Sequence, residues 1–247
     1  MQARGGLAGS ASSTEHLFLE TMPDMRLRRG SLLEYHGLKI SWLGHDGFKI
    51  KNSKTIYIDP YAMQAGEKAD IILITHEHFD HCSPGVIKKI VTSNTTIVTT
   101  ALVKRQLSGT KVREIRAVKP REKILVDDIS VETVPAYNLN KFRSPGEPFH
   151  GRQEEMLGFI VTINGVRVYH AGDTDSILEM EGLNVDIACL PVSGTYVMTA
   201  EEAAEAARRI KPKIAIPMHY GSIVGDERDA QRFKKLADCE VQILSKE

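Results

Sequence analysis

Asp70-Ile71-Ile72-Leu73-Ile74-Thr75-His76-Glu77-His78-Phe79-Asp80-His81-Cys82-Ser83-Pro84 is the stretch whose reading decides the fold. Its first half is a short apolar run rich in β-branched residues, the pattern of a strand buried on both faces. Its second half places His76, His78, Asp80 and His81 within six residues. Extended backbone sends alternate side chains to one face, so His76, His78 and Asp80 point the same way, and His81 adds a second imidazole beside Asp80. Imidazole and carboxylate together suit Zn²⁺, with Mn²⁺ or Fe²⁺ as alternatives. Four donors this close exceed the needs of one mononuclear site completed from elsewhere, which points to two adjacent metals. Ser83 and Pro84 then open a helix as N-cap and first helical residue. Val86, Ile87, Ile90 and Val91 form its apolar stripe, with Lys88 and Lys89 facing water.

Outward from this run the signals alternate. Strands are expected at 38–43, 48–51, 55–59, 96–99, 112–117, 123–126, 129–134, 157–163, 166–170, 186–191, 213–217 and 240–244. Helices are expected at 101–107, 199–210 and 226–237. Asn164-Gly165 is a two-residue hairpin signal, and Thr199 with Glu202 forms a capping box. Two packed sheets with helices outside satisfy this order.

The chain has 247 residues, 42% hydrophobic and 26% charged, with zero formal net charge. No global basic field favours a nucleic-acid partner. No apolar run approaches a membrane span. Cys82, Cys189 and Cys239 show neither zinc-finger spacing nor a disulfide framework, which fits a reducing cytoplasm. Residues 1–30 read as a flexible N-terminal extension, with Met22 or Met25 as alternative starts, and 31–247 as one domain. The oligomeric state stays open.

The pattern His-x-His-x-Asp-His at 76–81 resembles the signature of the metallo-β-lactamase superfamily. The resemblance implies an α/β fold, a four-layer αββα sandwich with two divalent metals at one edge. Within it, His170-Ala171-Gly172-Asp173-Thr174-Asp175 is similar to the family's Gly-Asp-Thr motif, with Asp173 as bridging ligand and Asp175 free to cap a following helix. His219, in Pro217-Met218-His219-Tyr220-Gly221, stands where the family places its last imidazole. Asp59 resembles the early Asp that orients the ligand loop. Where many members place the first metal's third histidine, this chain reads Pro135-Ala136-Tyr137-Asn138. His150, in the long loop from Tyr137 to Met156, is the candidate in its place; the alternative is an incomplete first site. His45, in Trp42-Leu43-Gly44-His45-Asp46-Gly47, is read as overlooking the pocket, His170 as core or supporting, and His16 and His36 as exposed.

The implied chemistry is hydrolysis of a small-molecule ester, lactone or phosphoester by water activated between the metals, with Asp80 and Asp173 as the catalytic carboxylates. Lys141, Arg143 and Arg152 on the long loop are candidates to grip an anionic substrate. The lactonase-like hydrolases are the nearest branch. A nuclease or phosphodiesterase of the same fold, and a non-catalytic metal-binding relative, are the alternatives.

Overall fold

The computed structural model describes residues 32–64 and 66–247. The 1–30 extension, His16, Met22 and Met25 lie outside the described residues. The first sheet runs in sequence order: β1 (Leu32–Tyr35), β2 (Leu38–Gly44), β3 (Gly47–Lys51), β4 (Thr55–Ile58), β5 (Ile71–Leu73), β6 (Thr96–Thr99) and β7 (Glu114–Ala117). Helices α1 (Pro84–Ile90) and α2 (Ala101–Gln106) make the crossovers between its parallel strands.

The chain then crosses to a second sheet through β8 (Lys123–Val126) and β9 (Ile129–Pro135). A small hairpin, β10 (Phe142–Ser144) and β11 (Glu147–Pro148), stands apart. The second sheet continues with β12 (Leu157–Ile163), β13 (Val166–His170), β14 (Ile187–Pro191), α3 (Ala200–Ile210), β15 (Ile214–Met218), α4 (Glu227–Leu236) and β16 (Glu240–Val241). Its strand order is β16-β15-β14-β13-β12-β9-β8. The result is the αββα sandwich expected. Among the described residues, no helix is long and apolar enough to cross a membrane.

The period-2 rule explains the layering. On β5, Ile71 and Leu73 join the large core between the sheets, while Ile72 joins the smaller core under α1 and α2. The second sheet's outer face is closed by Ala200, Ala203, Ala204, Ala207 and Phe233. The capping box at Thr199 and Glu202 starts α3. Asn164 (φ 51°) and Gly165 (φ 82°) are both left-handed, as a type I′ hairpin turn requires.

Three expectations need correction. A strand, β1, precedes Leu38; it is a half-buried edge whose pairing, not its own pattern, defines it. Ser83 occupies the N-cap of α1, but its hydroxyl makes no capping bond. The segment from Tyr137 to Met156 is not structureless: it carries the β10–β11 hairpin and a 3₁₀ turn at Arg152–Glu154.

Strands β4, β5 and β6 run parallel in one sheet and β13, β14 and β15 in the other. Their carboxyl ends share one edge of the sandwich, joined where Leu157 N donates to Thr75 O (3.2 Å) and His219 N donates to His45 O (3.0 Å). Carboxyl ends of parallel strands are where open α/β sheets bind ligands.

Candidate metal centre

The ligand run leaves the end of β5 and is held at its root by Asp59. That residue follows β4, is fully buried, and has a left-handed backbone (φ 43°). Its Oδ1 accepts from Thr75 N (2.8 Å), and its Oδ2 accepts from Thr75 Oγ1 (2.6 Å) and His81 Nδ1 (2.8 Å). One carboxylate therefore fixes both ends of the run. Because the Thr75 hydroxyl donates to Asp59, it accepts from His76 Nδ1 (2.9 Å). Both imidazoles thus donate from Nδ1 and turn Nε2 toward the interior. His76 Nε2 lies 3.0 Å from His78 Nδ1.

The second sheet supplies the facing groups. Asp173 follows β13 after Gly172 (φ 66°), where an added Cβ would stand 2.6 Å from Leu157 O. Only glycine fits this close passage of two backbones. Asp173 Oδ1 lies 3.3 Å from His81 Nε2. Its Oδ2 lies 3.4 Å from His150 Nε2, 3.4 Å from His219 Nε2 and 4.0 Å from His76 Nε2. His219 follows β15 with φ 58°. Its Nδ1 meets Ser193 Oγ at 3.0 Å, which leaves Nε2 for the centre. His170 is buried and works on the backbone: Gly172 N donates to its Nδ1 (3.2 Å), and its Nε2 donates to Asp46 O (2.8 Å).

His150 reaches the centre from the long loop and is buried. Asn138 N donates to His150 O (2.8 Å), and His150 N donates to Asn138 Oδ1 (2.9 Å). Asn138, the last residue of the segment 135–138, thus anchors the histidine that arrives from farther along the loop. Asp175 does not cap a helix. Its Oδ2 accepts from Leu139 N (2.6 Å) and Asn140 N (2.9 Å), tethering the same loop.

Among the described residues, three groups of side chains converge within 4.8 Å: His76, His78 and His150; His76, His81 and Asp173; and His45, Asp46, His81 and His219. Asp80 belongs to none of them. Its Oδ2 lies 3.0 Å from His45 Nε2. Asp46 is the residue that the sequence reading passed over, as part of a turn. Thr75 and Ser193, which orient imidazoles, were likewise unmarked. The loop cations face their own chain: Lys141 Nζ meets Glu202 (2.7 Å), Arg143 donates to Phe149 O (3.0 Å), and Arg152 meets Glu179 (2.8 Å).

The electrostatics divide the imidazoles into two kinds. Burial holds His76 well below the ordinary histidine range, and it lowers His150 too. Both are neutral near neutral pH. Burial acts the same way on His81 and His219, but there the facing carboxylates win. Asp173 and Asp59 hold His81 well above its usual value, and Asp173 and Asp46 raise His219 to about 9. Burial pushes Asp173 up, yet the His81 and His219 imidazoles hold it well below the carboxylate range.

The donors fit divalent cations. His45 Nδ1, both Asp46 oxygens, His81 Nε2, His150 Nδ1 and Asp173 Oδ1 are buried without a hydrogen-bond partner among the described residues. Such groups are costly unless something else satisfies them. Two ligands on a tetrahedral zinc stand roughly 3.3 Å apart at ordinary bond lengths. The spacings of Asp173 from His81, His150 and His219, at 3.3 and 3.4 Å, match this ligand edge.

Comparison with known proteins agrees with this geometry. A model described as beta-lactamase superfamily domain matches residues 39–219. A UPF0173 metal-dependent hydrolase of Archaeoglobus fulgidus is 34% identical, covering 84% of this chain and 96% of its own. One from Methanoculleus marisnigri is 32% identical, covering 80% and 88%. A solved structure from Parabacteroides distasonis, provisionally described as a metal-dependent hydrolase, superposes with a TM-score of 0.74 at 33% identity, covering 87% of this chain and 99% of its own. A metallo hydrolase from Ignicoccus hospitalis shares the fold, with a TM-score of 0.67 at 23% identity, covering 84% and 95%.

Proposed function

The chain belongs to the beta-lactamase superfamily, and from that premise we propose that it is a metal-dependent hydrolase of a small, uncharged ester or lactone, using two divalent cations. Zn²⁺ is the choice that imidazole-rich donors favour. The observation that carries the reading is Asp173, one buried carboxylate facing four imidazoles drawn from both sheets and the long loop. His76, His78 and His150 would hold one cation. His81 and His219 would hold the other, with Asp173 between them. When bound, such a pair would acidify water and polarise the substrate's carbonyl oxygen.

The chain's own groups do the rest. Asp59, Thr75 and Ser193 fix which ring nitrogen of His76, His81 and His219 faces inward. Burial works against ionisation of Asp80, but the bond from His45 and the nearby His81 charge together outweigh it and keep the carboxyl below its ordinary value. A carboxylate held ionised is a weak base and a good acceptor, suited to orienting an attacking water.

Substrate class follows from what borders the site. Lys141, Arg143 and Arg152 are engaged within the chain, which removes the motive for an anionic substrate. The flanking loops instead expose apolar groups. Phe79 is 66% exposed in the ligand run and packs edge-on against Tyr61, with ring centres 5.9 Å apart. Leu139 and Tyr196 are exposed on the loops flanking Asn138, whose side chain donates to Tyr196 O. An apolar acyl or lactone ring suits this border better than a phosphodiester. The three unpaired thiols fit a reducing cytoplasm. The test is a panel of esters, lactones and phosphodiesters assayed before and after metal removal. Metal-dependent turnover with kcat/KM highest for the uncharged esters or lactones is expected. Turnover that survives chelation, or a preference for phosphodiesters, contradicts the reading.

A further inference from the structure

Asp46 has a placement that a turn residue does not need. It sits between β2 and β3, where Gly44 (φ 95°) and His45 (φ 53°) reverse the chain. The turn is pinned on several sides. His45 O accepts from Trp42 Nε1 (2.8 Å) and from His219 N (3.0 Å), while Asp46 O accepts from His170 Nε2 (2.8 Å). These bonds join the turn to the ends of β13 and β15 and fix the direction of the Asp46 side chain.

That side chain is fully buried, and neither oxygen has a hydrogen-bond partner among the described residues. Its neighbours are imidazoles. Oδ2 lies 3.4 Å from His45 Nε2, 3.8 Å from His81 Nε2 and 3.9 Å from His219 Nε2. The distances to His81 and His219 are too long for hydrogen bonds. Two ligands of one tetrahedral zinc lie roughly 3.3 Å apart, so 3.8 and 3.9 Å leave room for a shared cation at a wider angle or with longer bonds. A buried carboxylate without donors is costly, and a cation at the shared point would satisfy it together with His81 Nε2, itself unpartnered.

We propose that Asp46 is a direct ligand of the cation held by His81 and His219, so that this cation is bound by two imidazoles and the carboxylates of Asp46 and Asp173. The proposal rests on the dinuclear reading above and adds a ligand to it. It makes the two positions chemically unequal. The one at His76, His78 and His150 is all imidazole apart from Asp173. The one at His81 and His219 is richer in carboxylate oxygen, which suits Mn²⁺ or Fe²⁺ better than the other does.

The experiment compares wild type with Asp46→Asn, which keeps the size of the side chain and removes its charge. Both are stripped of metal and checked by circular dichroism and thermal melting. They are then titrated with Zn²⁺ calorimetrically and with Co²⁺ by visible absorption, which reports coordination number. Metal-free Asp46→Asn is expected to fold, since neither Asp46 oxygen accepts a hydrogen bond among the described residues. One of the two cations should bind more than ~100-fold more weakly, beyond the range that losing a supporting hydrogen bond gives. The Co²⁺ band of that position should change while the other persists. Wild-type affinities and an unchanged Co²⁺ spectrum in the variant would overturn the proposal, leaving Asp46 as a balancing charge. Failure of the metal-free variant to fold would also overturn it, because the carboxylate would then be holding the turn. Failure of wild type itself to bind two cations would instead show that the dinuclear reading is wrong.

Discussion

The ligand run at 76–81 and the loop from Tyr137 to Met156 bring imidazoles to the same carboxylate by opposite means. The run hangs from one buried point: Asp59 takes three hydrogen bonds from its two ends. The loop is held by distributed tethers: Asp175 on two amides, Asn138 on His150, Glu202 on Lys141 and Asn140, and Glu179 on Tyr137 and Arg152. Several of these are half exposed. A single buried hub makes a rigid segment that fails all at once, whereas a set of partly exposed tethers makes one that loosens by degrees.

The largest effect belongs to the group both regions share. Asp173→Ala should abolish turnover and remove most bound metal, with the circular dichroism spectrum retained. A folded Asp173→Ala protein with full metal content would break the comparison at its centre. Next is His150→Ala, which takes away the loop's only imidazole. Metal analysis should give about one tightly held cation per chain in place of about two, and limited proteolysis should cut the loop faster once metal is stripped. Equal stoichiometry would reduce His150 to an ordinary buried histidine.

Asp59→Asn sharpens the account of the hub. Losing the charge that orients His81 and Thr75 should weaken metal binding ~10–100-fold, the usual range for a residue that supports a ligand. An equal loss from Asn138→Ala would mean that hub and tether do not differ in kind.

The smallest effect is that of the partly buried Glu202 tether. Burial pushes the Glu202 carboxyl up, but bonds from Lys141, Asn140 and the Thr199 amide outweigh it and hold it below 4.5. A depressed folded value means that the tether's stabilisation is full above 4.5, the unfolded reference, and fades as pH falls through the lower folded value. Loop cleavage by an acid-tolerant protease should therefore stay flat at mild acidity and rise only below pH 4.5. Glu202→Gln should raise cleavage modestly at neutral pH, by roughly 0.5 kcal/mol of local stability for a partly exposed pair, and flatten the acid rise. An acid response as steep in Glu202→Gln as in wild type would assign it to another carboxylate.

The same contrast explains how much the chain disclosed in advance. Segments whose period shows in their own residues were legible: Thr96–Thr99 and Leu157–Ile163 stand where the pattern put them, as does the turn at Asn164-Gly165. The run at 76–81 was legible because its donors are neighbours on one short segment. The β10–β11 hairpin was not, because Phe142, Arg143 and Ser144 are all exposed and no buried face imposes alternation. His150 had no local signal at all; its burial depends on Asn138, Asp175 and Glu202, residues brought near only by the fold. Asp175 looked like a cap because a short helical turn follows it, but nearby amides of the long loop compete for it and win. Asp46 was hidden for the opposite reason. Asp-Gly in a turn is so ordinary a signal that its placement beside His45 carried no further information until β13 and β15 closed over it.

The central claim is that two regions of unlike rigidity converge on a pair of cations. Anomalous diffraction from crystals of the metal-loaded protein, measured on both sides of the zinc absorption edge, tests it most directly. The account predicts two peaks flanking Asp173, one bounded by His76, His78 and His150 and the other by His81 and His219. A single peak, or peaks away from Asp173, would contradict it.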